Sequence, residues 1–365
     1  MSEAVELTKK LVRINSVSGN EFEIADFIFE YLQSKGFKPE KQFVYDSRPN
    51  VVCTRGEGKK HVLFNSHMDT VNVCTGWSTH PFEPVEKDGR IYGLGSIDMK
   101  SGLAAQLEAF VNSDFAGKLT LAVVVDEEVY SAGTHHLLSH NRLGANAAIF
   151  AEPNFGTTYS VTNAVRGRYA LNVQVKGKSA HGARKEGINA IVDAARLIGE
   201  IQNLKFKPHP VMGTGDINIG SIRSGSEFLS VPELCEFRLD RHTVAGETMD
   251  TVKSEIREAV AKSKIRSTVE LVPQTRPTPF IPAGMTPLDS PIVLAAKKAS
   301  EEIGFKFQTS TKESVFDMGY TIQAGIPSIC IGPMGGNIHG ADEYVVKSTI
   351  DESVKIYSGI LKNYE

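Results

Sequence analysis

The sequence predicts an α/β fold with a mostly parallel central sheet, interrupted by an inserted ferredoxin-like α+β domain. Three observations predict it. Apolar runs such as "HVLFN", "KLTLAVVV" and "AAIFA" alternate with helical stretches, the pattern of a sheet covered on both faces. Near Val165 the strands change to period-two alternation. From there the order is strand, helix, strand, strand, helix, strand, the ferredoxin-like unit. A chain of 365 residues, 41% of them hydrophobic, can fill two cores and is too apolar for disorder. The expected division is 1–164 with 278–365 for the first domain and 165–277 for the insert.

Val5, Leu7, Leu11 and Val12 share one face of a first helix. The second carries Phe22, Ala25, Ile28, Tyr31 and Leu32 at helical spacing, starts after cap-type residues and stops at Gly36. Strands follow at "NVVCTR" and "HVLFNSHMD", then the helix "MKSGLAAQLEAFVNS" and the strand "KLTLAVVVD". "GTHHLLSHN" reads as a helix and "AAIFAEP" as a buried strand. The insert runs through "RYALNVQVKG", the helix "GINAIVDAARLIGEIQNL", the strands "GDINIGSIRSG" and "VPELCEFRLDR", the helix "GETMDTVKSEIREAVAKS" and the strand "STVELVP". The proline-rich "PQTRPTPFIP" reads as the return linker. The helix "SPIVLAAKKASEEIG", the strand "IPSICIG" and a last helix complete the chain.

Several function classes are excluded as expectations. A net charge of −3 gives no basic face for nucleic acid. No run approaches the roughly 20 apolar residues of a membrane span, and the opening residues contain no signal-peptide core. Cys53, Cys74, Cys235 and Cys330 are scattered, as expected of free thiols in a reducing cytoplasm.

Chemistry gathers where apolar strands end. "VVVDEEV" closes a valine run on Asp126, Glu127 and Glu128, which would repel one another unless solvated or met by positive charge. His67 and Asp69 in "SHMD" are two apart, so they share one face of a strand. Asp98 lies in a Gly/Ser-rich loop before a helix, Glu152 follows "IFA", and His339 follows "ICIG" in "GGNIHGADE". Loops beyond the carboxyl ends of α/β strands converge on a ligand crevice, and imidazole with carboxylate suits zinc or a related divalent ion. His135, His136, His140 and His209 read as structural or solvated.

With these segments in order, the sequence resembles the dinuclear zinc peptidase and deacylase family, which includes acetylornithine deacetylase, succinyl-diaminopimelate desuccinylase, aminoacylase and glutamate carboxypeptidase. The matching text is "NSHMDTV", "GWSTHPFEPVEKDGRIYGLGSIDMKSG", "VVDEE", "AEP", "GKSAHGA" and "IHGADE", spanning nearly the whole chain. The resemblance implies a zinc-peptidase-like catalytic domain with an inserted lid and dimerisation domain, and two divalent ions: zinc first, cobalt or manganese as alternatives. It implies His67 and Glu152 as ligands of the first ion, Asp98 as the bridge, Glu128 and His339 as ligands of the second, and Glu127 as general base. Asp69 would orient the His67 ring, and the peptide bond after Asp98 would be cis. His181 of "GKSAHGA" would reach a neighbouring subunit's active site and stabilise the oxyanion, which makes the chain a homodimer. Asn218 matches a position near the substrate.

One departure concerns the substrate carboxylate. Relatives carry Asp-x-Arg at the end of the third lid strand; here Arg241 follows Asp240 directly and His242 holds the usual Arg position. Either Arg241, Arg168 or Arg223 is then the grip or the substrate is unusual, and a solvated strand-end charge is the alternative for Arg241. The expected activity is hydrolysis of the amide bond of an N-acyl amino acid or small peptide. A carboxypeptidase or dipeptidase is the alternative within the family, and a non-catalytic binding protein the alternative outside it.

Overall fold

The computed structural model describes residues 2–140, 143–154, 158–225 and 229–364. The chain divides into two compact units, one of Met1–Ala164, Met285–Lys312 and Phe316–Glu365, the other of Val165–Gly284 with Glu313–Val315.

The first unit is built on a mixed sheet. Four strands at its centre are parallel: Lys118–Val124, His61–His67, Ala147–Phe150 and Ser328–Cys330, side by side in that order. Every residue of His61–His67 is buried, as a strand covered on both faces requires. Arg48–Arg55 and Glu40–Tyr45 extend one flank antiparallel, and Val161–Val165 extends the other. The sequence gives little sign of Glu40–Tyr45 or of Thr309–Lys312, which pairs Val161–Val165. Both are short and polar, and a sheet edge needs no apolar period.

Helices cover this sheet where their apolar faces demand it. Glu3–Arg13 is capped by the Ser2 hydroxyl, which accepts from the Val5 amide, and buries Val5, Leu7, Leu11 and Val12. Phe22–Ser34 ends just before Gly36, whose φ of +84° a side chain would resist. Ser101–Val111 buries Leu103, Leu107 and Phe110, and Lys347–Asn363 sets Tyr357 against Phe64, ring centres 5.7 Å apart. A small four-stranded sheet, Gly335–Gly336, Tyr344–Val346, Arg90–Tyr92 and Val85–Lys87, braces the loop that carries His339.

The second unit is a four-stranded antiparallel sheet in the order Asp216–Ser224, Leu234–Thr243, Gly167–Lys176, Thr268–Pro273. Helices Ala190–Gln202 and Met249–Ser263 pack on one face, over Leu171, Val173, Val175, Cys235, Phe237 and Leu239. That is the ferredoxin-like arrangement. Where the sequence predicts an insert that ends at 277, with "PQTRPTPFIP" (273–282) as return linker, the second compact unit runs on to Gly284. The Arg168 amide donates to the Ile281 carbonyl, Phe280 packs edge-on to Tyr169, and Ile281 is buried.

Candidate metal centre

Because the four central strands run the same way, their carboxyl ends share one edge of the sheet, and each leads into a candidate residue. His67 ends its strand. Glu127 and Glu128 follow Lys118–Val124, Glu152 follows Ala147–Phe150, and His339 follows Ser328–Cys330 through a loop. Asp98 comes from the turn before Ser101–Val111, where the Asp98–Met99 peptide bond is cis.

His67 is buried with its two ring nitrogens divided. Nδ1 donates to the Asp69 backbone carbonyl at 3.0 Å, and the Asp69 carboxylate stands at 3.5 Å. With acceptors on Nδ1, a neutral His67 ring would carry its lone pair on Nε2. It lies 3.3 Å from Asp98 Oδ1 and 3.3 Å from Glu152 Oε1. Burial pulls the ring's pKa down, but Asp69, Asp98 and Glu152 outweigh it and hold it well above the ordinary value.

The Asp69 carboxylate does more than face that ring. It accepts from the amides of Glu127 and Glu128, at 3.1 and 3.2 Å, and from the Ser18 hydroxyl at 2.7 Å. Asp69 therefore fixes the turn that presents both glutamates. The preceding residue is also anchored: Asp126, at a left-handed φ of 66°, accepts from Arg48 at 2.7 Å and from the Tyr45 hydroxyl at 3.2 Å, and Arg48 also holds the buried Glu21. Three adjacent acids thus have separate surroundings. Asp126 is paired with an arginine, Glu128 faces His339, and Glu127 is left beside Glu152 and His67. Burial and the Glu152 carboxylate push Glu127 well above the usual carboxylate range.

His339 sits at a φ of 60°, with Nε2 3.2 Å from Glu128 Oε1 and 3.4 Å from Asp98 Oδ2. Asp98 and Glu128 raise its imidazole to about 10. Its loop is tied to the Asp98 turn by Glu343, whose carboxylate accepts from the amides of Gly95, Ile97 and Asp98 at 2.9, 3.0 and 3.1 Å. Burial lifts Glu343 to about 7. On the opposite side Lys312 donates to Glu152 Oε2 at 2.9 Å. Neither Glu343 nor Lys312 stood out in the sequence. Glu343 lies in the mixed run "GADEY" and Lys312 in the polar "TSTKES", and only the folded chain shows what each reaches.

Two donor groups emerge: His67, Asp98 and Glu152, and Asp98, Glu128 and His339, with candidate ligand atoms within 4.8 Å of one another in each. They share Asp98, whose two oxygens face the two imidazoles. Each joins one imidazole nitrogen to two carboxylates, a donor set that fits zinc or a neighbouring divalent ion. Close carboxylates outnumbering the ammonium of Lys312 make a site that favours added positive charge. Glu127 belongs to neither group.

In the second unit, strand parity sorts the candidates. Arg241 points to the helix-covered face between Leu239 and Thr243 and is fully buried. Its guanidinium donates to Glu255 and Glu247 at 3.0 and 2.9 Å and stacks 3.8 Å from the Phe206 ring centre. It is thus neither a free grip for a substrate nor a solvated charge, which corrects the expectation. Its sequence neighbour His242 lies on the open face, with Nδ1 2.7 Å from Asp216. Arg168 and Arg238 flank Asp240 on that face, at 3.0 and 3.4 Å, and Asn218 is the cross-strand neighbour of Asp240. Arg223 is exposed opposite Glu236, and His181 is exposed, its Nδ1 accepting from the Ala183 amide at 3.2 Å.

Residues 63–363 match peptidase family M20/M25/M40. An acetylornithine deacetylase of Proteus mirabilis (strain HI4320) is 27% identical over 391 aligned positions, covering 99% of this chain and 96% of the relative. In fold, the chain is similar to the aminopeptidase PepT from Bacillus cereus ATCC 10987, with a TM-score of 0.83 and 22% identity over 99% of this chain and 98% of that one. It is also similar to a dinuclear metal-binding peptidase from Bacillus subtilis, with a TM-score of 0.76 and 14% identity over 98% of this chain and 96% of that one. The chain belongs to peptidase family M20/M25/M40 and is a metal-dependent hydrolase of amide bonds.

Proposed function

We propose that this protein cleaves the amide bond of an N-acyl amino acid or a short peptide at a centre of two divalent ions, zinc in the first place, with cobalt or manganese as alternatives. His67, Asp98 and Glu152 would hold one ion and Asp98, Glu128 and His339 the other. The observation that carries this reading is Asp98, with one oxygen toward each imidazole. When bound, the ions supply Lewis acidity to the scissile carbonyl and make water a nucleophile at neutral pH. Glu127, which stands outside both donor groups, would take the water's proton and deliver it to the leaving nitrogen. Asp69 keeps Glu127 in place through the backbone amide.

The first unit is the catalytic domain in this reading, and the second a lid and dimerisation domain. An exposed edge strand, Asp216–Ser224, with Ile222 53% exposed and Leu229 and Leu234 exposed nearby, supports pairing with a second copy. His181 of the partner subunit would then complete the oxyanion site, and Asn218 would contact substrate. Arg168 and Arg238, partly exposed beside Asp240, would be the candidates for pairing a substrate carboxylate. Four free cysteines support a cytoplasmic setting.

The test is metal analysis followed by parallel assays of N-acetylated amino acids, N-succinylated amino acids and a dipeptide panel with zinc-, cobalt- and manganese-loaded protein. Turnover of acylated amino acids is expected. Turnover of dipeptides alone would make it a peptidase, and protein that takes up no divalent ion would leave a binding role. A monomer by light scattering would remove the part assigned to His181.

A further inference from the structure

We propose that Lys312 is a positioning residue for Glu152. By holding Oε2 it leaves Oε1 as the single oxygen that Glu152 offers to a cation, and it makes the His67 side of the centre the weaker of the two positions. The inference rests on the cation-binding reading of His67, Asp98 and Glu152 given above.

The two oxygens of Glu152 have different partners: Oε2 accepts from Lys312 Nζ at 2.9 Å, while Oε1 stands 3.3 Å from His67 Nε2. Lys312 is held in that position. Its side chain is 5% exposed, it ends a strand paired to Val161–Val165, and its ammonium lies 4.7 Å from the Phe316 ring centre. A buried ammonium keeps its charge by staying with a carboxylate. The other side of the centre is built differently. Glu128 Oε1 and Asp98 Oδ2 face the His339 ring at 3.2 and 3.4 Å, and that ring is half exposed. An imidazole can turn its lone pair to a cation, whereas an ammonium can only donate. Lys312 therefore competes with a cation for Glu152, lowers the basicity of the carboxylate, and repels the ion at short range. A ligand limited to one oxygen leaves a coordination position for water or for a substrate oxygen.

The experiment compares wild type, Lys312→Met and Lys312→Arg, each also in a His339→Ala background that leaves the His67 side as the remaining position. Metal-free proteins are titrated with Zn²⁺ against a chromophoric chelator, and with Co²⁺ while visible absorption is read. Far-UV circular dichroism and a melting curve of the metal-free forms establish that each is folded. Lys312→Met, which removes the like charge beside Glu152, is expected to tighten the His67-side ion, and to weaken the cobalt absorption per ion as Glu152 closes with both oxygens. Lys312→Arg, which restores the donor and its charge, is expected to match wild type. Should Lys312→Met fail to fold, Lys312→Gln carries the test, with tighter binding still expected because the charge is gone. Unchanged or weakened affinity with an unchanged spectrum overturns the role of Lys312. Wild-type protein that binds no ion overturns the cation reading itself, a distinct result.

Discussion

At the scale of single residues, Glu127 and Glu128 are adjacent in the chain and do different things. Their amides share the Asp69 carboxylate, yet Glu128 faces His339 while Glu127 stands outside both donor groups. Glu127→Gln keeps the shape and removes the exchangeable charge. Its kcat is expected to fall about 10²–10⁴-fold while both ions remain bound, as metal analysis will show. Glu128→Gln should lose one equivalent of metal. Near-normal turnover of Glu127→Gln would sink the assignment of the base. Arg48 supports the same turn from behind, joining Glu21 and Asp126, both almost wholly buried. Arg48→Met strands two buried carboxylates, so a loss of about 3–5 kcal/mol is expected in urea unfolding. A loss below 1 kcal/mol would mean that solvent already satisfies them.

At the scale of elements, the close fit of the Ser101–Val111 helix against the strand that leads into Glu152 fixes the centre. A Cβ on Gly102 would lie 2.0 Å from the Ala151 carbonyl oxygen, so the helix or the strand end must move. Gly102→Ala is expected to cost about 1–3 kcal/mol and to weaken metal binding with it. Gly199→Ala, in open space within Ala190–Gln202, should instead be neutral or slightly stabilising; equal losses for the two would refute the steric account. In the second unit, Asp193 on that same helix accepts from the Ser267 hydroxyl and from the amides of Ser267 and Arg266, at 2.8, 2.9 and 3.1 Å. Burial raises its pKa, but those donors outweigh it and leave Asp193 below the usual carboxylate range. A depressed folded-state pKa means stability that is present above the unfolded value and is lost as pH falls through the folded one. Asp193→Asn should therefore destabilise at pH 7 and converge on wild type in acid, a trend that unfolding curves from pH 7 down to pH 3 will show or refute.

At the scale of the whole molecule, the centre draws on every part of the first unit's chain: His67 from the early strands, Asp98 from a turn, Glu152 from the middle, and His339 from near the end. Cations that bridge such distant segments bind the folded chain and not the unfolded one. Metal-free protein is expected to melt lower than loaded protein, with the melting temperature rising as the free ion concentration rises. At a hundred times the dissociation constant the gain is about 2.7 kcal/mol per site. A melting curve insensitive to chelation would show that the donor groups hold no ion in solution.

Much of this was legible in the sequence. Buried parallel strands announce themselves as unbroken apolar runs and the strands of the ferredoxin-like insert as alternating ones, because burial on two faces marks every residue of a strand and burial on one face marks every second residue. The candidates of the centre were legible as a set, since acids and histidines recur at the ends of successive strands, and it is that recurrence rather than any one of them that pointed to a shared crevice. Strand parity could have excluded Arg241, which shares its face with Leu239 and Phe237, but its partners Glu247 and Glu255 lie on other elements and carry no signal of their own. What the sequence by itself determined is which elements form and which residue types stand at their ends, because local propensity and periodicity are properties of neighbours in the chain. What only the tertiary structure decided is the pairing: Lys312 with Glu152, Glu343 with the Asp98 turn, Asp69 with the amides of Glu127 and Glu128. Those contacts join residues that only folding brings within hydrogen-bonding distance.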